Sequence, residues 1–515
     1  MKTTSNFIHQ LIHSLTKNEK GYFVKLLKVH GGDPMNKKYF LLFSAIDKQL
    51  TYNESALTNQ FKAEPFIKQF SVAKNYLIQI ILKSLIQFNG TKTIENVLSK
   101  EIDTCNILYQ KGFIKEYQQS LSKVKRKSIL YEKHDFTLTI IKKEKELLVN
   151  LKDKNFKKNL QKLLDEESKI LDDIKIENQL SKYYFILTTE IHQNRIIRSE
   201  KEIAHLFPII NSLHEDFPKF KNSFSSKNYY YGIQIIYNYL INDFKKAEEF
   251  GILHEKLFLQ NPLLAKQKLD DFMEISYHYL GAKFQLGNHE KIELLLNKIY
   301  KLEVETHELK QKKFFVYYSN MIRLYASTYQ YKKAEQLLID LNKELPTIIT
   351  HLSISNKLTL FLNSSILQFA LGNYNASLDY LNAYFEIADN SFRKDAFKFA
   401  LIFNLFIHLK LGNLQLLENL LKNIKQGFRK EKQIFLYEKI LIEFLSKTIG
   451  NINKKEKINL LKRTKMQLEE IKIDIIQKDA MRYFNYTRWF ESQILQIPYT
   501  EMPEYLEKLD KSMEV

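Results

Sequence analysis

Leu371-Gly372-Asn373-Tyr374, set between two amphipathic stretches, decides how this chain folds, because the phrase returns at near-constant spacing. Close copies are Leu286-Gly287-Asn288-His289, Leu411-Gly412-Asn413-Leu414 and Ile449-Gly450-Asn451-Ile452. Looser ones end at Phe113, Phe156, Phe244 and Tyr331, and a degenerate one fits near Ser199. The last residues of successive phrases lie 43, 43, 45, 45, 42, 43, 40 and 38 positions apart, a period that stacked helical hairpins produce. Gly is able to take the left-handed conformation that closes a helix end, and Asn is expected either to share it or to cap the next helix. Gly287, Gly372, Gly412 and Gly450 are therefore the expected structural turns.

An apolar stretch of about five helical turns precedes each phrase, and a shorter amphipathic one follows. Ile292, Leu295, Leu296 and Ile299, at i, i+3, i+4 and i+7, are an example. The unit reads as a long helix A, a tight turn and a helix B. With 515 residues but only 8 Pro and 13 Gly, the chain has few places for linkers between domains. A stack escapes the size limit of a single core, since each hairpin buries itself against its neighbours. No Asn-Gly or Asp-Gly turn separates alternating runs, so strands are not expected. The expected fold class is all-α, a right-handed α-solenoid of helical hairpins with a period of about 42, led by an N-terminal helical cap.

The cap occupies residues 1–90, where the phrase is missing. Thr16-Lys17-Asn18-Glu19 is a capping box opening a helix toward Val29, and Gly31-Gly32-Asp33-Pro34 stops it. Helices are expected over 37–49, from Asn53, and from Pro65 to Phe88. Such a bundle seals an apolar end face; two short helices with a Gly turn also leave a DNA-reading helix-turn-helix open. Over 91–515 the hairpins follow one another: 93–109 with 113–130, 136–151 with 156–174, and 181–197 with 201–213. Pro208 and Pro218 predict an irregular joint near 199–225. The last A helix is expected to hold Met481, Phe484, Trp489 and Phe490, with a short closing helix over 502–509.

Phe369-Ala370-Leu371-Gly372-Asn373-Tyr374 followed by Ser377 and Leu378, Tyr331-Lys332-Lys333-Ala334-Glu335, and Ala247 after Phe244 resemble the middle of tetratricopeptide repeats. There a Gly-polar-aromatic turn is followed by a small residue three positions on. The resemblance covers residues 225–430. Its period is longer than the usual one of about 34, and Ile292 and Leu417 stand where the motif has a small residue. It implies a protein-protein interaction scaffold that binds a peptide or partner helix on the concave face lined by A helices. Those helices are rich in Tyr and Phe between 225 and 330, and Tyr presents a large apolar ring with a polar tip. Tyr230, Tyr277, Tyr318 and Arg323 are the candidate partner-binding residues, Arg323 because a guanidinium grips a carboxylate.

The net charge of +19 invites a nucleic-acid reading. Dense runs occur at Lys123, Lys125, Arg126, Lys127 and at Lys454, Lys455, Lys457, Lys462, Arg463, Lys465. Only nine residues are Arg, the fork favoured at phosphates and guanine edges, so Lys-mediated non-specific binding is the alternative rather than the leading function. A purely regulatory role is a further alternative. No Gly-rich phosphate loop, paired-Cys metal motif or nucleophile elbow is present, so no enzyme activity and no cofactor are expected. His9 and His13, one turn apart, lack an identifiable third metal ligand. Arg198 and His205 are spaced like the Arg/His pair of HEPN-type ribonucleases, a remote alternative against an ordinary exposed helix start. Cys105, the single cysteine, reads as a small buried hydrophobe. His9, Gln10 and His13 interrupt the first fifteen residues where a secretory signal needs an apolar core, and residues 76–88 are too short and too polar to span a bilayer. A cytoplasmic location without membrane contact is expected.

Overall fold

At Gly287, Gly372 and Gly412 the backbone is left-handed, with φ of 72°, 84° and 76°. The amides of Asn288, Asn373 and Asn413 then turn back to the carbonyls of Lys283, Gln368 and His408 at 3.1, 2.9 and 3.0 Å, a Schellman closure of the helix end. The asparagines differ from expectation, for they neither share the left-handed conformation nor cap. Asn288 and Asn373 lie at φ −78°, ψ 57° and φ −84°, ψ 66°, the inverse γ-turn, and the next amide bonds the glycine carbonyl at 2.9 and 3.1 Å. Their side chains reach sideways instead, Asn288 donating to Glu248 at 2.8 Å and Asn373 to Gln368 at 3.0 Å. Asn242 (φ 62°) and Tyr329 (φ 59°) take the glycine's place in two looser copies, closed by bonds from Asp243 to Asn238 and Gln330 to Tyr325 at 2.8 and 3.0 Å. Gly450 corrects the fourth expected turn: it is not left-handed. The next helix waits until Lys454, behind a reciprocal cap of Asn453 and Glu456 at 2.9 Å each way.

These turns belong to a computed structural model that describes residues 6–29, 34–90, 93–151, 155–193, 223–388, 394–429, 435–450, 453–471 and 483–505, with Pro208, Ile210, Asn211 and Leu213. Every regular element among the described residues is helical, and no helix among them is long and apolar enough to cross a membrane. Two compact units divide the chain, residues 1–170 and 171–515.

In the first unit α1 (Phe7–Ser14), α2 (Lys17–Val29), α3 (Pro34–Asp47), α4 (Glu54–Gln60) and α5 (Phe70–Asn89) share a core that includes Ile12, Phe23, Leu42, Leu57 and Ile81. The capping box forms: the Thr16 amide donates to Glu19 at 2.8 Å and the Glu19 amide to Thr16 Oγ1 at 3.3 Å. A second cluster, with Leu98, Cys105, Leu121 and Ile140, lies among α6 (Ile94–Gln110), α7 (Ile114–Leu130) and α8 (His134–Leu151). The next helix, α9 (Phe156–Gln193), runs for 38 residues through the break expected between 174 and 181. Leu171 to Leu180 contains neither Gly nor Pro, so nothing there frees the backbone from the helical ladder. The B helix expected over 201–213 falls largely outside the described residues.

The second unit continues with α10 (Phe224–Leu240), α11 (Phe244–Gln260), α12 (Pro262–Gln267), α13 (Leu269–Leu286), α14 (His289–Tyr300), α15 (His307–Ser327) and α16 (Tyr331–Ile348). Then come α17 (Ile354–Ala370), α18 (Tyr374–Ile387), α19 (Lys394–Leu411), α20 (Leu414–Arg429), α21 (Leu436–Thr448), α22 (Lys454–Ile471) and α23 (Tyr486–Leu495). Long helices pack on the helix after their turn and also on one another, α10 on α13, α13 on α15, α15 on α17. Small side chains allow the close crossings: Ala247, Ala334 and Ser377 are fully buried, and Ser377 and Ser365 exchange hydroxyl-to-carbonyl bonds at 2.8 Å. At Gly251 an added Cβ would overlap the Tyr279 ring.

The C-terminal segment reaches back along this row. Phe484 precedes α23 rather than lying in it, and its ring is 5.5 Å from that of Phe369. Trp489 meets Phe406 edge-on at 5.1 Å, and the Arg488 guanidinium covers the Tyr329 ring at 4.2 Å.

Replacing Gly372 by Val should destabilise the chain by about 1–3 kcal/mol, the strain of a β-branched residue held at positive φ. Gly450→Val, at ordinary φ, should lose well under half of that. Thermal melting followed by circular dichroism compares them, and equal losses would mean that the left-handed backbone is not what Gly372 supplies.

Candidate functional site

Five long helices of the second unit send side chains into one cavity of about 130 Å³. Tyr239 comes from α10, Tyr277 from α13, Asn320 and Arg323 from α15, Asn363 from α17. Ala396 of α19 and Tyr483, just ahead of α23, also line it, and the shorter α18 adds Tyr384. A water occupies about 30 Å³ of liquid, so the space suits one compact group and falls short of the roughly 300 Å³ at which small-molecule sites begin. Among the described residues its wall carries one formal charge, Arg323, and no carboxylate. The guanidinium lies 4.1 Å above the Phe284 ring, a cation–π contact that holds the planar cation flat. Tyr277 is supported from behind by Phe315, with ring centroids 5.5 Å apart.

Of the four residues singled out from sequence, Tyr277 and Arg323 come together on this wall. Tyr230 and Tyr318 stand elsewhere. Tyr230 is 6% exposed and packs between Tyr231 and Phe250. Tyr318 is 1% exposed and donates to Glu344 Oε1 at 3.0 Å; burial and that carboxylate raise its hydroxyl pKa. Helical register explains the division. Nine residues separate Tyr230 from Tyr239 and two separate Tyr318 from Asn320, and at about 100° per residue each pair lies on opposite faces of its helix. Sequence reasoning missed Tyr239, Asn320, Asn363 and Tyr483. Asn363 stands nine positions before the glycine turn at Gly372, the one offset the sequence marks; Asn320 shares it from Tyr329, and Tyr239 stands three before Asn242, but neither of those turn residues is visible as left-handed in the sequence.

A buried polar chain sets the positions of α10 and α13. Asn228 of α10 donates through Nδ2 to Asp271 Oδ2 of α13 at 2.9 Å, which leaves its Oδ1 to accept from His254 Nε2 of α11 at 2.9 Å. That commitment fixes the histidine tautomer. His254 is 1% exposed, its ring stacked on Phe272, and burial pulls its pKa down to about 3. Lys268 closes the chain 3.6 Å from Asp271, whose own pKa is raised by burial.

No group of three or more His, Cys, Asp or Glu among the described residues could hold a metal ion. The His9 and His13 rings lie 4.1 Å apart, tilted by 35°, with His9 Nε2 2.8 Å from the Gln49 carbonyl. Arg198 and His205 lie outside the described residues. Parts of the basic runs are neutralised: Lys125 sits between Glu144 and Glu166 at 2.6 and 2.7 Å, Lys127 pairs with Glu101, and Lys465 with Glu491 at 3.0 Å. Comparison with known proteins finds no family model, curated protein or solved structure that matches the chain.

The His254 geometry fixes a pH dependence. Its folded pKa lies below the unfolded value of about 6.5, so the unfolded chain binds the extra proton and stability falls as pH drops from that value toward 3. Asp271, raised, opposes this at the acid end. Chemical denaturation should therefore show stability declining below pH 6.5 by up to about 1.4 kcal/mol per unit from this group, and His254→Gln should flatten the decline. Parallel profiles for the two proteins would place the sensitivity elsewhere.

Proposed function

We propose that the chain is a non-enzymatic protein-protein interaction scaffold, a right-handed tetratricopeptide-like solenoid whose A-helix face takes a peptide or partner helix. The observation that carries the reading is the shared wall: successive A helices end on the same turn and present Tyr239, Tyr277, Asn320, Arg323 and Asn363 to one space. The left-handed residues Asn242, Gly287, Tyr329, Gly372 and Gly412 follow one another at 45, 42, 43 and 40 positions, in keeping with a repeat of about 42. A space with room for one compact group, lined by tyrosines and amides and charged among the described residues by Arg323, suits an anchoring acidic side chain or chain terminus of a longer segment. The rest of that segment would lie along the tyrosine-bearing helices in the cytoplasm.

Nucleic acid is the second reading, favoured by the exposed lysines Lys454, Lys455, Lys457 and Lys462 and by the net charge. Carboxylates that neutralise Lys125, Lys127 and Lys465 weaken it.

Tyr277→Ala combined with Arg323→Ala should weaken a protein partner captured from native extract by about 2–4 kcal/mol, as loss of a Tyr and an Arg anchor does at interfaces. Tyr318→Phe should leave the complex intact. Undiminished binding by a folded double variant would reject the site. Nuclease treatment and a salt titration decide the second reading, since six to ten phosphate contacts lose several decades of affinity between roughly 50 and 200 mM salt.

A further inference from the structure

A second pocket of the same unit, about 370 Å³, has a different chemistry. It lies between the Gly372 turn and the C-terminal segment, walled by Phe369, Tyr374, Trp489 and Tyr499, with Lys410 as the one formal charge among its described residues. This volume falls within the roughly 300–1,000 Å³ of small-molecule sites.

Lys410 is half-buried there and donates to Gln493 Oε1 at 3.0 Å, with its ammonium 5.3 Å from the Tyr374 ring centroid. Among the described residues the wall contains no carboxylate. What acts on Lys410 is another cation: burial and the charge of Lys457 on α22 together lower its pKa. A half-buried ammonium whose described surroundings offer an amide oxygen and aromatic rings in place of a carboxylate is an unfavourable arrangement for the empty protein, and a bound anion relieves it. An ammonium has three N–H donors, and Gln493 takes one. Tyr499, whose pKa burial raises to about 12, stays a neutral phenol.

We propose that this pocket binds a small aromatic carboxylate, its charge on Lys410 and its ring against Tyr374, Trp489 and Tyr499. One ammonium, with no arginine fork in the wall, matches a monoanion better than a phosphate. Flat aromatic walls match a ring by offset or edge-to-face contact. The site is separate from the Arg323 cavity and does not depend on the scaffold reading.

Trp489 is the single tryptophan of the chain, so the intrinsic fluorescence of the full-length protein reports on this pocket. Titration with benzoate should change the emission saturably, while benzyl alcohol, of similar shape without the charge, should not. Lys410→Gln should weaken benzoate by about tenfold, the scale of one charge-assisted hydrogen bond. Lys457→Gln, at an exposed position, should weaken it by a smaller but measurable factor, and carries the test if Lys410→Gln does not fold. No saturable response to benzoate would overturn the proposal. So would an undiminished response in folded Lys410→Gln, or in Lys457→Gln where only that variant folds. Saturation by inorganic phosphate but not benzoate would overturn the assignment of the ring.

Discussion

A helix that must reverse direction has to satisfy its last carbonyls within a few residues, and here the left-handed turn residue does so. Once Gly372 is at φ 84°, the amide of Asn373 is aimed at Gln368 and that of Tyr374 at Gly372, so exit and re-entry angles follow from one backbone conformation. Because several long helices end on the same closure, a position counted back from it has the same rotation in each. That is how side chains far apart in sequence come to share a wall: Asn320 and Asn363 both stand nine residues before their turn residue.

Glycine makes this closure visible in sequence, and only glycine does. At Gly287, Gly372 and Gly412 the phrase and the conformation agree, since no other residue enters positive φ without strain. Asn242 and Tyr329 enter it because the flanking helices over-determine the turn, and Glu132, at φ 51°, marks a closure that nothing in its type reveals. Gly450 shows the converse, a matching phrase whose next helix has a cap of its own at Asn453. The fused α9 follows the same logic: periodicity suggested a joint, but no residue between 171 and 180 could terminate the ladder. For the candidate site, residue type pointed to Tyr277 and Arg323 but could not separate them from Tyr230 and Tyr318, because that distinction lies in register. Tyr483 was beyond reach, since its place on the wall depends on a tertiary return of the chain.

The tyrosine content has a packing explanation beside the functional one. Tyr318 and Tyr325 bury their rings between helices while their hydroxyls reach Glu344 and Glu293 at 3.0 and 3.5 Å. Such pairs join a large apolar contact to a directional bond, which fixes how α15 slides along α16 on one side and α14 on the other. Gly251 belongs to the same design, its missing side chain making room for the Tyr279 ring.

The C-terminal segment defines where the available A-helix surface stops. Phe484, Tyr486 and Trp489 cover Phe369, Phe403 and Phe406 of α17 and α19, burying their aromatic surface. Tyr483 is the first residue of that cover, and it is also part of the Arg323 cavity. The cavity is therefore complete only when the C-terminal segment is docked, so the free energy that seats Phe484 and Trp489 also organises the wall facing Tyr239 and Tyr277. Sequential packing alone supplies a row of helices; the non-local return of the chain closes part of that row into a bounded cavity.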